Sequence, residues 1–403
     1  MKIGVCECSI FDLNIQISYT RRKITHQMDS FFSRLKRSRL TRRDWIRGSG
    51  IAGMAGVAGM AGFDPGKVAF ASNANQNQIA SHESGNMGAV GTVDHNRNGF
   101  DPLEILYDFD YGEITSRPGE PTVREFEIVA TDKEIEIAPG VFFPGWTYNN
   151  RIPGPTIRCV EGDLIRVTFT NASDHPHTIH FHGMHPAAMD GVPGAGDGLI
   201  FNGQQTVYEF TAKPFGCHFY HCHSFPLKRH IHKGLYGTFI IDPDPDLYEG
   251  EERELAKARN HNYDECLAIN EMIMVMNGFD TNFDGENEVY AVNSIVFAYQ
   301  KQPIKISPNQ RQRIYLANAT EFDPINSFHL HGNFFDYYDH GTTLTPTLRT
   351  VDTVMQCQGQ RGILEFSYEG FDPGAFMFHA HQSEFAELGW MGFFDLQPGE
   401  NVT

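Results

Sequence analysis

From residue 121 onward, apolar and polar positions take turns in short runs. "TVREFEIVA", "KEIEIAPGV", "DLIRVTFTN", "TVYEFTA" and "GTFIIDP" alternate, or stay apolar, between turn residues. That is the period-2 signature of half-buried and buried strands. A charged stretch at 244–265, "DPDLYEGEERELAKARNHNYDE", interrupts the rhythm and reads as a linker with a short helix. A second series follows: "AINEMIMVMNG", "QPIKISP", "QRIYLANAT", "GILEFSY" and "GFFDLQP". The pattern predicts two β-sandwiches, 121–243 and 266–403, with residues 72–120 as an irregular polar extension. A chain of 403 residues exceeds what one core usually serves, and 39 glycines with 21 prolines favour short strands and turns.

Charge changes the picture at the N-terminus. Residues 1–71 hold 12 of the 32 Lys and Arg but 5 of the 50 Asp and Glu, so the rest carries 20 basic against 45 acidic residues. So acidic a body argues against nucleic acid and anionic membrane surfaces as partners. The basic head contains "TRRDWIRGSGIAGMAGVAGMAG", with Arg42 and Arg43 before a weakly apolar Gly/Ala stretch, and then "AFAS", with Ala69 and Ala71 suited to cleavage. This resembles a twin-arginine export signal over 1–71, implying a periplasmic or extracellular protein with no membrane attachment after signal removal. The apolar stretch is too short and too glycine-rich for a bilayer span of roughly 20 residues. Met28 is a second candidate start. Outside the cytoplasm, disulfides among Cys159, Cys217, Cys266 and Cys357 are open, with no pairing readable from sequence.

The two halves rhyme. "HTIHFHG" at 177–183 answers "NSFHLHG" at 326–332, and "FYHCHSF" at 219–225 answers "MFHAHQSEF" at 377–385. Four His-x-His pairs result: His180/His182, His221/His223, His329/His331 and His379/His381. On a strand, residues i and i+2 share a face, so each pair offers two imidazoles side by side. One pair means little; four at matching places in two similar halves point to metal. Cys222 lies between His221 and His223 and so faces the other way, into its own sandwich. His177, three before His180, and His230, eight after Cys222, can complete a thiolate–bis-imidazole set, the donor set of blue copper.

On these residues the chain resembles the multicopper oxidases. "TYNNRIPGPTIRCVEGDLIRV" is similar to the opening strands of their cupredoxin domains, and "HTIHFHG" and "HCH…HIHKGL" to their type 1 and trinuclear motifs. The nearest likeness is to two-domain, laccase-like members with type 1 copper in the first domain. The resemblance implies an all-β fold of two cupredoxin-like Greek-key β-sandwich domains. It implies His177, Cys222 and His230 for type 1 copper, His180 and His329 for type 2, and His182, His221, His223, His331, His379 and His381 for the type 3 pair. About four coppers per chain follow. Ten of the 19 histidines are used; the rest, including His175, His185, His218 and His232, are taken as surface or supporting residues. Asp190, in "MDGVPG", is similar to the family's acidic residue beside the cluster and is the candidate proton donor, ahead of Glu384 and Glu387.

Departures from the family pattern are informative. Leu235 stands where the axial methionine usually falls, so the type 1 copper would be three-coordinate. Asn326 and Ala380 replace the histidine and cysteine of a second type 1 site. The implied reaction oxidises a small reductant (phenol, Fe, Mn or Cu ion) one electron at a time and reduces O2 to water. Two-domain relatives are homotrimers with clusters between subunits, which is the assembly expected here. The nearest alternative, a copper nitrite reductase, carries an aspartate at the position of His180 and lacks the histidine after the cysteine. A copper storage or carrier protein has no use for a thiolate site joined to eight more histidines. Two Asp/Asn-rich loops, "DHNRNGF" at 94–100 and "DTNFDGENE" at 280–288, have a calcium-loop flavour but lack the twelfth-position glutamate, and are read as turns.

Overall fold

The computed structural model describes residues 91–399. The twin-arginine segment, its cleavage site and residues 72–90 of the extension lie outside them. Two sheet pairs follow one another along the chain. The first half pairs Glu113–Ile114, Val123–Ala138, Leu164–Asn171 and Gln205–Thr211, with Val141–Tyr148 on Val123–Ala138, against a sheet of Phe109–Asp110, Thr156–Val160, Tyr236–Asp242, Gly216–His221 and His180–Phe181. The second half repeats the plan. Asn270–Phe279 runs parallel to Gln312–Asn318 and antiparallel to Val289–Val292, as Val123–Ala138 does to Leu164–Asn171 and Val141–Tyr148. Its other sheet joins Ile304–Ile306, Met391–Leu396, Gly374–His379, Ile325–Leu330 and Thr353–Cys357.

Burial explains the sequence rhythm. Leu164–Asn171 and Gln205–Thr211 alternate between inward and outward positions along their whole length, as strands with one wet face should. Gly216–His221 and Tyr236–Asp242 are buried on both faces. Their outer side is covered by the second half: Cys217, Phe219, Tyr236 and Ile240 join the large apolar cluster there, whereas Tyr220, Phe239, Ile241 and Cys222 face the interior of the first sandwich. The linker is helical over Gly250–Lys257.

The extension differs from expectation. From residue 91 it forms two short helices, His95–Asn98 and Pro102–Ile105, capped by the side chains of Asp94 and Asp101. Phe100, Ile105 and Leu106 enter the second half's core, and Ile273 donates its N–H to the Leu106 carbonyl at 2.8 Å. A polar composition hid three apolar anchors.

Between the halves lies a buried charge network. The Arg158 side chain, fully buried, bridges Asp242 of the first half at 3.1 Å and Glu271 of the second at 2.6 Å. Arg313 bridges the same Glu271 at 3.0 Å and Glu365 at 2.7 Å. Burial alone would raise the Glu271 carboxyl; the two guanidinium groups outweigh it and hold it down at about 2. The five cysteines among the described residues are all free thiols.

Candidate metal centres

Three groups of ligands stand out. The first is enclosed in the first sandwich. Cys222 follows the strand Gly216–His221, and its N–H donates to the Leu235 carbonyl at 3.0 Å, which fixes the backbone there. His177 bridges to Ile200, and His230 comes from the helix Leu227–His232. The Cys222 Sγ lies 3.2 Å from His230 Nδ1 and 3.8 Å from His177 Nδ1, and the two Nδ1 atoms are 3.1 Å apart. His177 Nε2 is occupied by the Ser173 hydroxyl at 2.9 Å, so Nδ1 is the nitrogen turned inward. The Thr178 N–H donates to the sulfur at 3.4 Å. All three residues are buried, with exposures of 0, 0 and 2% for His177, Cys222 and His230. Burial pushes His177 down to about 3 and His230 to about 4, so both rings are neutral and free to ligate near pH 7. Leu235, the residue that the resemblance puts in place of the axial methionine, is fully buried. Two imidazoles and a thiol converging this closely fit a copper ion.

The second group is His180, His182, His221 and His223. His180 and His221 are register partners on adjacent antiparallel strands. His180 Nδ1 meets the Asp190 carbonyl at 2.8 Å and its carboxylate at 3.0 Å, and His221 Nδ1 donates to the Cys222 carbonyl at 3.0 Å. Both rings therefore keep Nε2 for a metal. His223 Nδ1 is buried without a partner, as a ligating nitrogen would be. Burial lowers His182 to about 2, with His221 and Arg361 adding, and the Arg361 guanidinium reaches its Nδ1 at 3.2 Å. Gly191 makes the Asp190 contact achievable: its φ is +67°, and a Cβ there would sit 1.8 Å from the Ile179 carbonyl oxygen.

The third group repeats the second. His329 pairs with His379 in register. His329 Nδ1 meets the Asp352 carbonyl and the Thr353 hydroxyl, each at 2.9 Å, and His379 Nδ1 donates to the Ala380 carbonyl at 2.6 Å. His331 and His379 face each other, Nε2 to Nε2, at 2.9 Å, with His381 alongside His329. His331 and His381 are exposed. Ring contacts link members within each quartet, and among the described residues none joins one quartet to the other.

The remaining histidines divide. His175 is half exposed and His185 lies 3.7 Å from the Asp190 carboxylate. His218 and His232, expected at the surface or in support, are buried; His232 Nε2 accepts the Asp280 N–H at 2.9 Å. Sequence reasoning missed Trp146, whose ring packs on both His177 and His230, and Arg361, which no motif marks. The 280–288 segment folds back on itself, with Asp280 and Glu288 buried beside Asp284.

Two family profiles, each described as multicopper oxidase, match residues 130–246 and 270–400. A crystal structure of a multicopper oxidase is 53% identical with a TM-score of 0.69, covering 76% of this chain and all of that one. The chain belongs to the multicopper oxidases. This multicopper oxidase therefore binds copper, in type 1, type 2 and type 3 centres, on an all-β, cupredoxin-like fold. It is also 28% identical over 75% of its length to a probable nitrite reductase–hydroxylamine oxidoreductase fusion protein of Kuenenia stuttgartiensis, and 24% identical over 65% of its length to the copper-containing nitrite reductase of Neisseria gonorrhoeae. The chain spans 34% and 65% of the lengths of those two relatives.

Proposed function

We propose that this multicopper oxidase is laccase-like: it takes single electrons from a small reductant and delivers four of them to O2, forming water. The observation that carries the reading is the two-sidedness of residues 221–223. Cys222 points into the first sandwich beside His177 and His230, while His221 and His223 join His180 and His182 on the other side. Copper, when bound, supplies the redox chemistry at both ends.

The chain's own residues do the rest. His177, Cys222 and His230 would hold type 1 copper, and the peptide links from Cys222 to His221 and His223 would join that centre to the other. His180 and His329 serve type 2 copper; His182, His221, His223, His331, His379 and His381 serve the type 3 pair. Asp190 orients His180 and stands ready to hold a proton for O2 reduction. The two quartets keep apart within the chain, and the second presents His331 and His381 to solvent. This supports an assembly in which the second quartet of one chain completes the first quartet of a neighbour, in a homotrimer. The twin-arginine resemblance supports export.

Copper per chain in the copper-loaded mature protein tests the reading. About four supports the oxidase; about two, with nitrite consumed in place of O2, overturns it in favour of a nitrite reductase. The nitrite reductase reading draws on the relatives named above, but an imidazole at position 180 and another at 223 have no place in it.

A further inference from the structure

We propose that His175 and Trp146 form the port through which electrons reach the buried His177–Cys222–His230 set. The inference rests on the laccase-like reading and adds where the reductant docks. Its starting point is a closed door: His177 and His230 are 0 and 2% exposed, so a dissolved reductant cannot touch either ligand ring. Something packed on them must pass the electron inward.

Trp146 is the residue so placed. Its ring centroid lies 4.7 Å from that of His230 and 5.2 Å from that of His177, and it is itself 4% exposed. On the same indole lies His175, at 4.5 Å, whose side chain is 47% exposed. The backbone that carries this imidazole is held in place from behind. The His175 carbonyl accepts from the Asn171 amide at 2.7 Å, and its N–H donates to the Ser173 hydroxyl at 3.3 Å, the same hydroxyl that fixes His177. A continuous chain of tilted and edge-on ring contacts thus runs from solvent to the ligand set.

The second half supplies an internal control. There Tyr290 caps Phe385 at 3.8 Å, as Trp146 caps His230, so the cap alone is a packing device common to both halves. At the position that answers His175, two residues before Asn326, the second half has Pro324, which offers no imidazole. Between these two matching positions, the imidazole stands in the half that carries His177, Cys222 and His230.

The step moves one electron and breaks no bond in the protein. A hydroquinone docked on His175 would become a semiquinone, losing one electron to the copper that the buried set would hold and one proton to water. The Arg229 and Lys233 cations, 5.2 and 5.7 Å from the Trp146 ring, disfavour loss of an electron from the indole itself.

Anaerobic stopped-flow mixing of the copper-loaded protein with hydroquinone, following bleaching of the visible band, tests the port. His175→Ala is expected to slow bleaching about threefold to tenfold, the loss of one aromatic contact. Trp146→Leu slows it further and Trp146→Phe restores part of the rate, while His175→Ala keeps copper content and resting spectrum unchanged. In the metal-free chain, diethylpyrocarbonate should label His175 ahead of His177 and His230, read by peptide mass. Equal bleaching rates in the parent and His175→Ala overturn the port and leave the oxidase reading standing, and so does labelling of His230 ahead of His175. A copper-loaded parent with no visible band overturns both. His175 lies at the surface, so its variant decides the matter even if the buried Trp146 variants fail to fold.

Discussion

The two halves of this chain share a frame and differ in what fills it. In the first, the Cys222 N–H donates to the Leu235 carbonyl, and the Leu235 N–H donates to the His230 carbonyl. In the second, Ala380 donates to Trp390 and Trp390 to Phe385 by the same two bonds. Position by position, a thiol becomes a methyl, an imidazole becomes a phenyl ring, and Leu235 becomes an indole; Asn326 takes the place of His177 and bonds to the Thr320 hydroxyl at 2.9 Å. Polar ligands pointing into a sandwich interior cost stability unless they hold something. At those positions the second half has buried, well-packed rings. What survives in both is the outward-facing quartet, held by the same carbonyl contacts. The lesson is that the histidine quartet recurs in both halves, whereas the buried thiol with its two imidazoles is found in the first.

Four experiments break or sharpen that contrast. Cys222→Ser should lower O2-dependent hydroquinone oxidation by at least about a thousandfold and erase the visible band. Survival of turnover would mean the halves do not differ in function as described. His331→Ala should take copper from about four to about one per chain while the visible band stays, because a quartet is damaged and the thiolate site is not. Parallel loss of the band would couple the sites more tightly than the geometry suggests.

Smaller effects test packing. Trp390→Ala should cost about 3–5 kcal/mol in urea unfolding, whereas Leu235→Met, at the matching position, should cost less than about 1.5 kcal/mol and shift the visible band by offering sulfur to the metal. The smallest effect concerns a hairpin that is Pro139–Gly140 in the first half and the acidic loop 280–288 in the second. Burial there, against hydrogen bonds from Thr281, pushes Glu288 up to about 7, with Asp280 and Asp284 adding. Its folded value lies above its unfolded one, so its contribution is fully present below about pH 4.5 and is lost as pH rises through 7. Glu288→Gln should therefore raise stability by about 1 kcal/mol at pH 8, in chelator, once partial solvation of the loop is allowed for, and change nothing at pH 5. An equal gain at both pH values would remove the titration from the account.

Much of this was legible in the chain. Strand alternation such as that of Leu164–Asn171 is a local, period-2 signal, and the His-x-His pairs ride on the same period. The opposed direction of Cys222 follows from it too. What stayed hidden was long-range. Nothing near Trp146 in sequence says that it will cap His230, and the Phe385 and Trp390 fillers read as ordinary core residues until the two halves are overlaid. Phe100, Ile105 and Leu106 lie in a polar segment with no periodicity to flag them. Arg158, Arg313 and Glu271 are single charges in apolar strands, and their partners lie far along the chain. The quartets were legible as motifs; their separation within one chain was not, because it depends on how the halves are turned.

Arg158 spans that turn, holding Asp242 of the first half and Glu271 of the second, with Arg313 bracing Glu271 from behind. Ion pairs are directional where apolar contacts slide, so this buried cross-brace acts as a protractor for the subunit. In a head-to-tail ring, an error in the wedge presented by one protomer is multiplied around the circle, and a ring that misses closure becomes an open filament. On the proposed assembly, residues far from any copper would thus decide how many subunits meet before the circle shuts.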